Sequence, residues 1–402
     1  MAAADRYRSI LRTPHVVPLL AASLIARLPI AMYGLALVLY LAAERDSFAV
    51  AGLVNGAFGL GSAIGIPLQS RLIDRIGQRR VLLPLAFVDV AATVVLVALT
   101  EAGAPTAALM ATGFVGGFAI PAVGAAMRAL WKTLTTGREE LLLTAFALDS
   151  VLIETVFTVG PLAAAVTIAA ISPIAALGLC AACSLAGTAA FVTQRPSREW
   201  EPDAGAGSRG LLGALRSGGV RTLALATLPV GFCFGAVDIS LPAFAVELGS
   251  PAWAGLLLAV WALGSAIGGL AYGARAWTRP LPEIYVRLAA LLPLGFLPAL
   301  LAPNLALMLP LILPAGMFIA PLVAACNQLA GEVASPGATT EAFTWPTTAL
   351  IAGFATGTAV GGALVEAVDW RAGFVAASLA AAVGAIIAFS RRGSLTPTLQ
   401  PV

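Results

Sequence analysis

Residues 48–100, FAVAGLVNGAFGLGSAIGIPLQSRLIDRIGQRRVLLPLAFVDVAATVVLVALT in fragment form, hold two long apolar runs joined by a turn crowded with arginine. Crossing a bilayer takes about 20 apolar residues as a helix, and each run is long enough. The turn carries Arg71, Arg75, Arg79 and Arg80. Basic residues concentrate in the cytoplasmic turns of membrane proteins. The stretch therefore reads as a chain that crosses a membrane, turns on its inner side and crosses back.

The same pattern extends in both directions. Twelve spans are expected, at about 15–42, 48–71, 80–100, 105–130, 141–168, 172–194, 219–246, 252–275, 283–302, 304–330, 341–366 and 370–390. The first is too long, and too well embedded in the series, to read as a cleaved signal peptide. With the N-terminus inside, twenty of the 23 Lys and Arg residues fall on the inner side, and only Arg45 and Arg371 fall outside. Arg27 alone lies within a span. This asymmetry places both termini in the cytoplasm. Composition agrees: charged residues make up 11% of the 402 residues, against about 25% in soluble domains. Too few charges exist to coat a soluble enzyme or a nucleic-acid-binding protein. His15 is the only histidine, so a histidine zinc site and a Ser-His-Asp triad are excluded. Cys180 and Cys183 have CxxC spacing but sit in an apolar span, where small buried residues are the plainer reading. No cofactor is expected.

The chain also repeats itself. Ala51-Gly52-Leu53 and Leu60-Gly61-Ser62-Ala63-Ile64-Gly65 recur 203 residues later, as Ala254-Gly255-Leu256 and Leu263-Gly264-Ser265-Ala266-Ile267-Gly268. Gly116 and Pro121 match Gly316 and Pro321; Ala145-Phe146 and Gly160 match Ala342-Phe343 and Gly357. The offset covers six spans, an even number, so the two copies share one orientation, a parallel repeat. The expected organisation is a six-helix bundle over 1–194, a polar cytoplasmic linker over 195–218, a second six-helix bundle over 219–392, and a disordered tail over 393–402. Parallel halves suit alternating access, with a site at their interface.

The turn Ser70-Arg71-Leu72-Ile73-Asp74-Arg75-Ile76-Gly77-Gln78-Arg79-Arg80 resembles the G-x-L-a-D-R-x-G-R-R loop of the major facilitator superfamily. Leu72, Asp74, Arg75, Gly77 and Arg79 match; Ser70 replaces the first glycine and Gln78 a common basic residue. Read by itself, the loop is a tight turn in which Gly77 permits an unusual backbone angle, and Arg79 and Arg80 anchor topology. The resemblance implies more. Asp74, Arg75, Gly77, Arg79 and Arg80 would form a cytoplasmic gate between two all-α bundles of the superfamily fold. Gly160-Pro161 in span 5 is similar to part of a signature of the drug/proton antiporter branch, although the glycine pair that should follow is Ala164-Ala165.

Ionisable residues inside spans are the strongest pointers to function, because each would cost about 2.5–3.5 kcal/mol if charged and unpaired. They are Arg27 in span 1, Asp89 in span 3, Asp149 and Glu154 in span 5, and Asp238 in span 7. By depth, Arg27 can pair with Glu154, with Asp149 as competitor. Glu154 is then either a permanent counter-ion or a proton carrier. Burial disfavours a carboxylate's charge and a nearby arginine favours it, so helix motion could change the balance. By superfamily architecture, spans 1, 4, 7 and 10 line the cavity. Asp238 would face it, and Asp89 is the least expected to take part. Tyr33, Asn55, Asn327, Gln328 and Trp345 are candidate substrate contacts; Glu341 suits a helix start. Pro29, Pro121 and Pro346 are expected to kink their spans. Glycine-rich faces of spans 2 and 8 read as close-packing surfaces.

The resulting expectation is a multi-pass transporter in the bacterial cytoplasmic membrane, monomeric and not an enzyme. It would carry small organic molecules by proton-coupled efflux, with protons and the lipid bilayer as its other partners and no nucleic acid. A proton-coupled uptake symporter for a metabolite or sugar and a non-transporting membrane sensor are the alternatives.

Overall fold

A backbone inside hydrocarbon has no water to bond, so it must satisfy its amides within its own helix. The chain does so twelve times. The structure, a computed structural model, describes residues 8–137, 139–200, 214–275, 277–334 and 339–396, without the side chains at 132, 139, 140, 143, 147, 150, 154, 214 and 339–341. The spans are α1 (Val16–Arg45), α2 (Phe48–Ile76), α3 (Gln78–Glu101), α4 (Thr106–Ala119 and Val123–Leu134), α5 (Glu139–Ala170) and α6 (Pro173–Thr193). They continue as α7 (Gly218–Glu247), α8 (Trp253–Ala274), α9 (Leu281–Phe296, extended by a 3-10 turn Leu297–Leu301), α10 (Leu305–Met317 and Ile319–Glu332), α11 (Thr339–Ala367) and α12 (Trp370–Ser390). All twelve are long and apolar enough to cross a membrane. The protein is an all-α, multi-pass membrane protein.

Helix ends follow local chemistry. Gly77, with φ of +94°, starts α3 in a backbone region that side chains avoid. Ser172 Oγ accepts from Ala175 N ahead of a proline at the first turn of α6, and Asn304 Oδ1 accepts from Leu307 N at the start of α10. Asp369 Oδ1 accepts from Arg371 N and Ala372 N at the start of α12. Each bond occupies an amide that the helix itself leaves open.

The chain divides into two compact units. One holds residues through Tyr40 and Leu60–Gly207; the other holds Leu41–Gly59 and the remainder from Ser208. α2 is thus shared, its first half belonging with α7–α12. Within the first unit, α2 meets α4 through glycine. A Cβ on Gly61 would lie 2.1 Å from Phe114 O, and one on Gly65 would lie 2.3 Å from Phe118 O. Within the second unit the corresponding glycines of α8 meet α10: a Cβ on Gly264 would lie 2.5 Å from Leu313 O, and one on Gly268 would run into Met317 O. The sequence repeat is therefore a repeat of helix–helix contact, in which missing side chains let backbones touch. α7 and α11 interlock the same way, through Gly231 and Gly235 on one and Gly353 and Gly357 on the other.

α4 and α10 are both interrupted. α4 breaks at Ile120–Ala122 around Pro121, while α10 breaks at Phe318, three residues before Pro321. Pro29 and Pro346 lie inside helices that run on unbroken. At the α4 break, Gln69 of α2 supplies the missing partners. Its Nε2 donates to Phe118 O (2.7 Å) and Ile120 O (3.0 Å), and its Oε1 accepts from Ala122 N (2.9 Å).

Gly268→Ala is predicted to destabilise the purified protein by roughly 1–3 kcal/mol or more through overpacking against Met317. Gly273→Ala, on the same helix with nothing within 4 Å of its Cβ position, should leave thermal unfolding unchanged or slightly raised. Equal melting of the two variants would contradict the packing described.

Candidate functional site

Three helices of the first unit meet at Arg27. Its Nη2 donates to Asp149 Oδ1 at 2.7 Å and, at 3.4 Å, to Gly124 O. Both Arg27 and Asp149 side chains are 4% exposed. Gly124, on the second segment of α4, has no side chain to obstruct the guanidinium; a Cβ there would sit 3.3 Å from Arg27 Nε. A turn further along that segment, Arg128 Nη1 stands 3.6 Å from the other carboxylate oxygen, Asp149 Oδ2. Asp149 therefore faces two guanidinium groups, one buried and one half exposed. Arg27 Nε and Nη1 have no hydrogen-bond partner among the described residues.

Of the two carboxylates within reach of Arg27 by depth, Asp149 is the one that pairs with it among the described side chains. Glu154 lies on α5, but its side chain is outside the described residues. Five positions separate the two carboxyls, which puts them about 140° apart around a helix, so α5 cannot turn both squarely to Arg27. Gly160, six positions beyond Glu154, packs on α1, where its Cβ position is 2.8 Å from Ala31 Cβ. Pro161 lies inside the unbroken helix α5.

Beside this cluster lies a cavity of about 370 Å³ lined by Ser70, Ile73, Asp74, Ala125, Arg128, Ala129 and Phe146. Asp74 of the turn motif and Arg128 thus share one space. Arg75, Arg79 and Arg80 are exposed. Gln78, one of the two departures from the motif, is buried. Its Nε2 donates to Ala126 O (3.2 Å), and its Oε1 accepts from Ser197 Oγ (2.6 Å). A longer cation would displace both bonds.

Tyr33 packs inside the first unit. It is buried between α1 and α3, where its Oη donates to Asp89 Oδ1 (3.2 Å) and bonds Thr93 Oγ1 (2.9 Å). Asp89 is itself fully buried.

The second unit holds a different arrangement. Asp238 of α7 is half-buried, and its Oδ2 accepts from Asn55 Nδ2 of α2 at 3.1 Å. No ion pair to Asp238 occurs among the described residues. Asn327 is exposed and borders a small pocket of about 30 Å³, with Thr227, Tyr285, Cys326, Pro346 and Thr347 on its walls. Gln328, also exposed, accepts from Tyr272 Oη at 3.5 Å. Trp345 packs against the buried pair Val220 and Ala342, as Leu215 does. Of the five candidate substrate contacts, Tyr33 belongs to the first unit and Asn55, Asn327, Gln328 and Trp345 to the second. Gln69, Gly124 and the Arg128–Asp149 contact escaped the sequence reading. A lone glutamine within an apolar run is the available signal for Gln69, and Arg128, near the inner end of its span, reads in sequence only as one more inner-side basic residue. Among the described residues no group of three or more metal-ligating side chains occurs.

A family model described as the Major Facilitator Superfamily matches residues 19–296. A nucleoside transporter, NupG, shares the fold with a TM-score of 0.74 at 13% identity, over 95% of this chain and 99% of that one. A bacterial homologue of the iron transporter ferroportin, in an inward-facing state, gives 0.73 at 14% identity over 94% and 98%. A structure concerning proton-dependent oligopeptide transporters gives 0.68 at 16% over 94% and 98%. No curated protein sequence matches the chain.

Removing either partner of a buried ion pair leaves an uncompensated charge and costs about 3–5 kcal/mol. Arg27→Met and Asp149→Leu singly are predicted to destabilise the protein by that amount. The double variant should be more stable than either single, read by thermal unfolding in one detergent. Additive losses would show that the two side chains are not coupled.

Proposed function

The chain belongs to the Major Facilitator Superfamily, and from that membership we propose that it exports small organic molecules across the bacterial cytoplasmic membrane in exchange for protons. A membrane transporter of small molecules follows from the family; the direction, the proton and the compartment are our reading. Both termini would lie in the cytoplasm, by the distribution of Lys and Arg, and the working unit would be a single chain.

The observation that carries proton coupling is the contrast between two mid-span carboxylates. Asp149 is held by Arg27 and approached by Arg128, so its charge is compensated within the protein. Asp238 has a neutral amide as its partner and is partly accessible. A carboxylate in an apolar span with no cation beside it can be neutralised from outside, by a proton or by a cationic cargo. If one site accepts either, the two exclude each other, and exchange follows. Asn55 would hold the carboxylate in place in both states, since its amide can donate to the charged or the protonated form. Arg27 and Asp149 would then serve as a fixed ion pair joining α1, α4 and α5, with the 370 Å³ cavity and Asp74 beside them.

Export is favoured by Gly160-Pro161 in α5, the part-match to the antiporter signature. The fold itself is shared with proton-dependent transporters and sets no direction.

The test is accumulation of a panel of cationic dyes, antibiotics and metabolites in a host stripped of its own exporters. Cells carrying the protein should hold less of at least one compound than cells with empty vector, and a protonophore should abolish the difference. Higher accumulation than the vector control would indicate uptake instead. No difference for any compound, with the protein present in the membrane, would contradict export.

A further inference from the structure

Three arginines gather where the chain passes from α8 to α9. Arg275, Arg279 and Arg287 line a cavity of about 280 Å³ together with Trp277, Thr278, Ile284, Leu288 and Leu291. One carboxylate stands among them: Glu283 Oε2, 3.8 Å from Arg279 Nη1 and 3.8 Å from Arg287 Nη2. Three guanidinium groups against one carboxylate leave two positive charges over, and all four side chains are exposed. Arg275 forms no ion pair among the described residues; its guanidinium lies 5.1 Å from the centre of the Trp277 ring. Trp277 is fixed in turn, since its Nε1 donates to Tyr272 O at 2.9 Å.

The location defines the chemistry of what could fill this cavity. α8 ends at Ala274 and α9 begins at Leu281, so the cavity sits between the ends of two spans, at the boundary of water and lipid. Tyr272 and Trp277, with ring centres 5.2 Å apart, suit that boundary. From Arg287, positions four and seven residues on lie on one helix face. They are Leu291 and Leu294, 41% and 57% exposed. A ligand with an anionic head and an apolar tail would find guanidinium groups at one end of this face and leucines along it. Basic pockets between spans bind the phosphate of anionic headgroups, and arginine matches phosphate oxygens with paired donors.

We propose that this cavity binds the phosphate of an anionic phospholipid, with Arg275, Arg279 and Arg287 on the headgroup and Leu291 and Leu294 against an acyl chain. Glu283 competes with the phosphate for two of the arginines and limits the affinity. The site is independent of the cargo and of proton coupling.

Native mass spectrometry of the purified full chain, offered equal phosphatidylglycerol and phosphatidylcholine of the same chain length, tests it. Wild type should retain phosphatidylglycerol over phosphatidylcholine by about tenfold. Arg279→Ala with Arg287→Ala should remove that preference, and Glu283→Gln should strengthen it. The opposite movement of the two variants distinguishes a binding site from loss of fold, since Glu283→Gln gains rather than loses. An unchanged preference in either variant would overturn the proposal. Displacement of the lipid by glycerol 1-phosphate at equal concentration would also overturn it, by showing that a soluble phosphate ester suffices.

Discussion

Hydrocarbon offers no partner to an open amide or a bare charge, and that constraint governs both the regular and the irregular parts of this protein. It demands unbroken helices, and where the chain departs from them it demands a substitute partner. The interruption of α4 at Pro121 is the plainest instance. A free carbonyl or N–H there would be unfavourable by about 1–3 kcal/mol each, and Gln69 meets three such groups with one side chain. The same constraint acts on charge. Arg27 and Asp149 can lie 4% exposed because each is the other's counter-ion, and Gly124 gives the guanidinium room to reach.

Much of the architecture is legible in the sequence. Twelve spans could be read because the signal is composition over some twenty residues, which needs no knowledge of packing. The repeat could be read because the glycines at 61, 65, 264 and 268 answer to a backbone contact that tolerates nothing larger. The interruptions are less legible. Four prolines in comparable contexts, Pro29, Pro121, Pro321 and Pro346, give two breaks and two continuous helices. What differs lies on neighbouring helices, as Gln69 does for Pro121.

Side-chain pairing was the part that sequence reading resolved least. Depth alone allowed Arg27 to reach either Asp149 or Glu154; rotation of α5 about its axis decides between them, and that rotation comes from packing against α1. Asn55 and Asp238 are 183 residues apart, and they meet because the first half of α2 belongs with the second unit. Tyr33 shows the same limit. A tyrosine at mid-span suggests a cavity, but a buried Asp89 two helices away turns it inward.

Asp149 has cations as partners and Asp238 a neutral amide, and the proposed exchange of proton for cargo turns on that difference. The most direct measurement compares two transport modes in liposomes containing purified protein, once a cargo is known. Asp238→Asn should keep exchange of a neutral cargo at equal pH, where alternation needs no proton, and weaken that of a cationic cargo, which the same carboxylate would hold. It should lose accumulation driven by an imposed pH gradient. Retention of gradient-driven accumulation in Asp238→Asn would contradict the assignment of proton coupling to this residue.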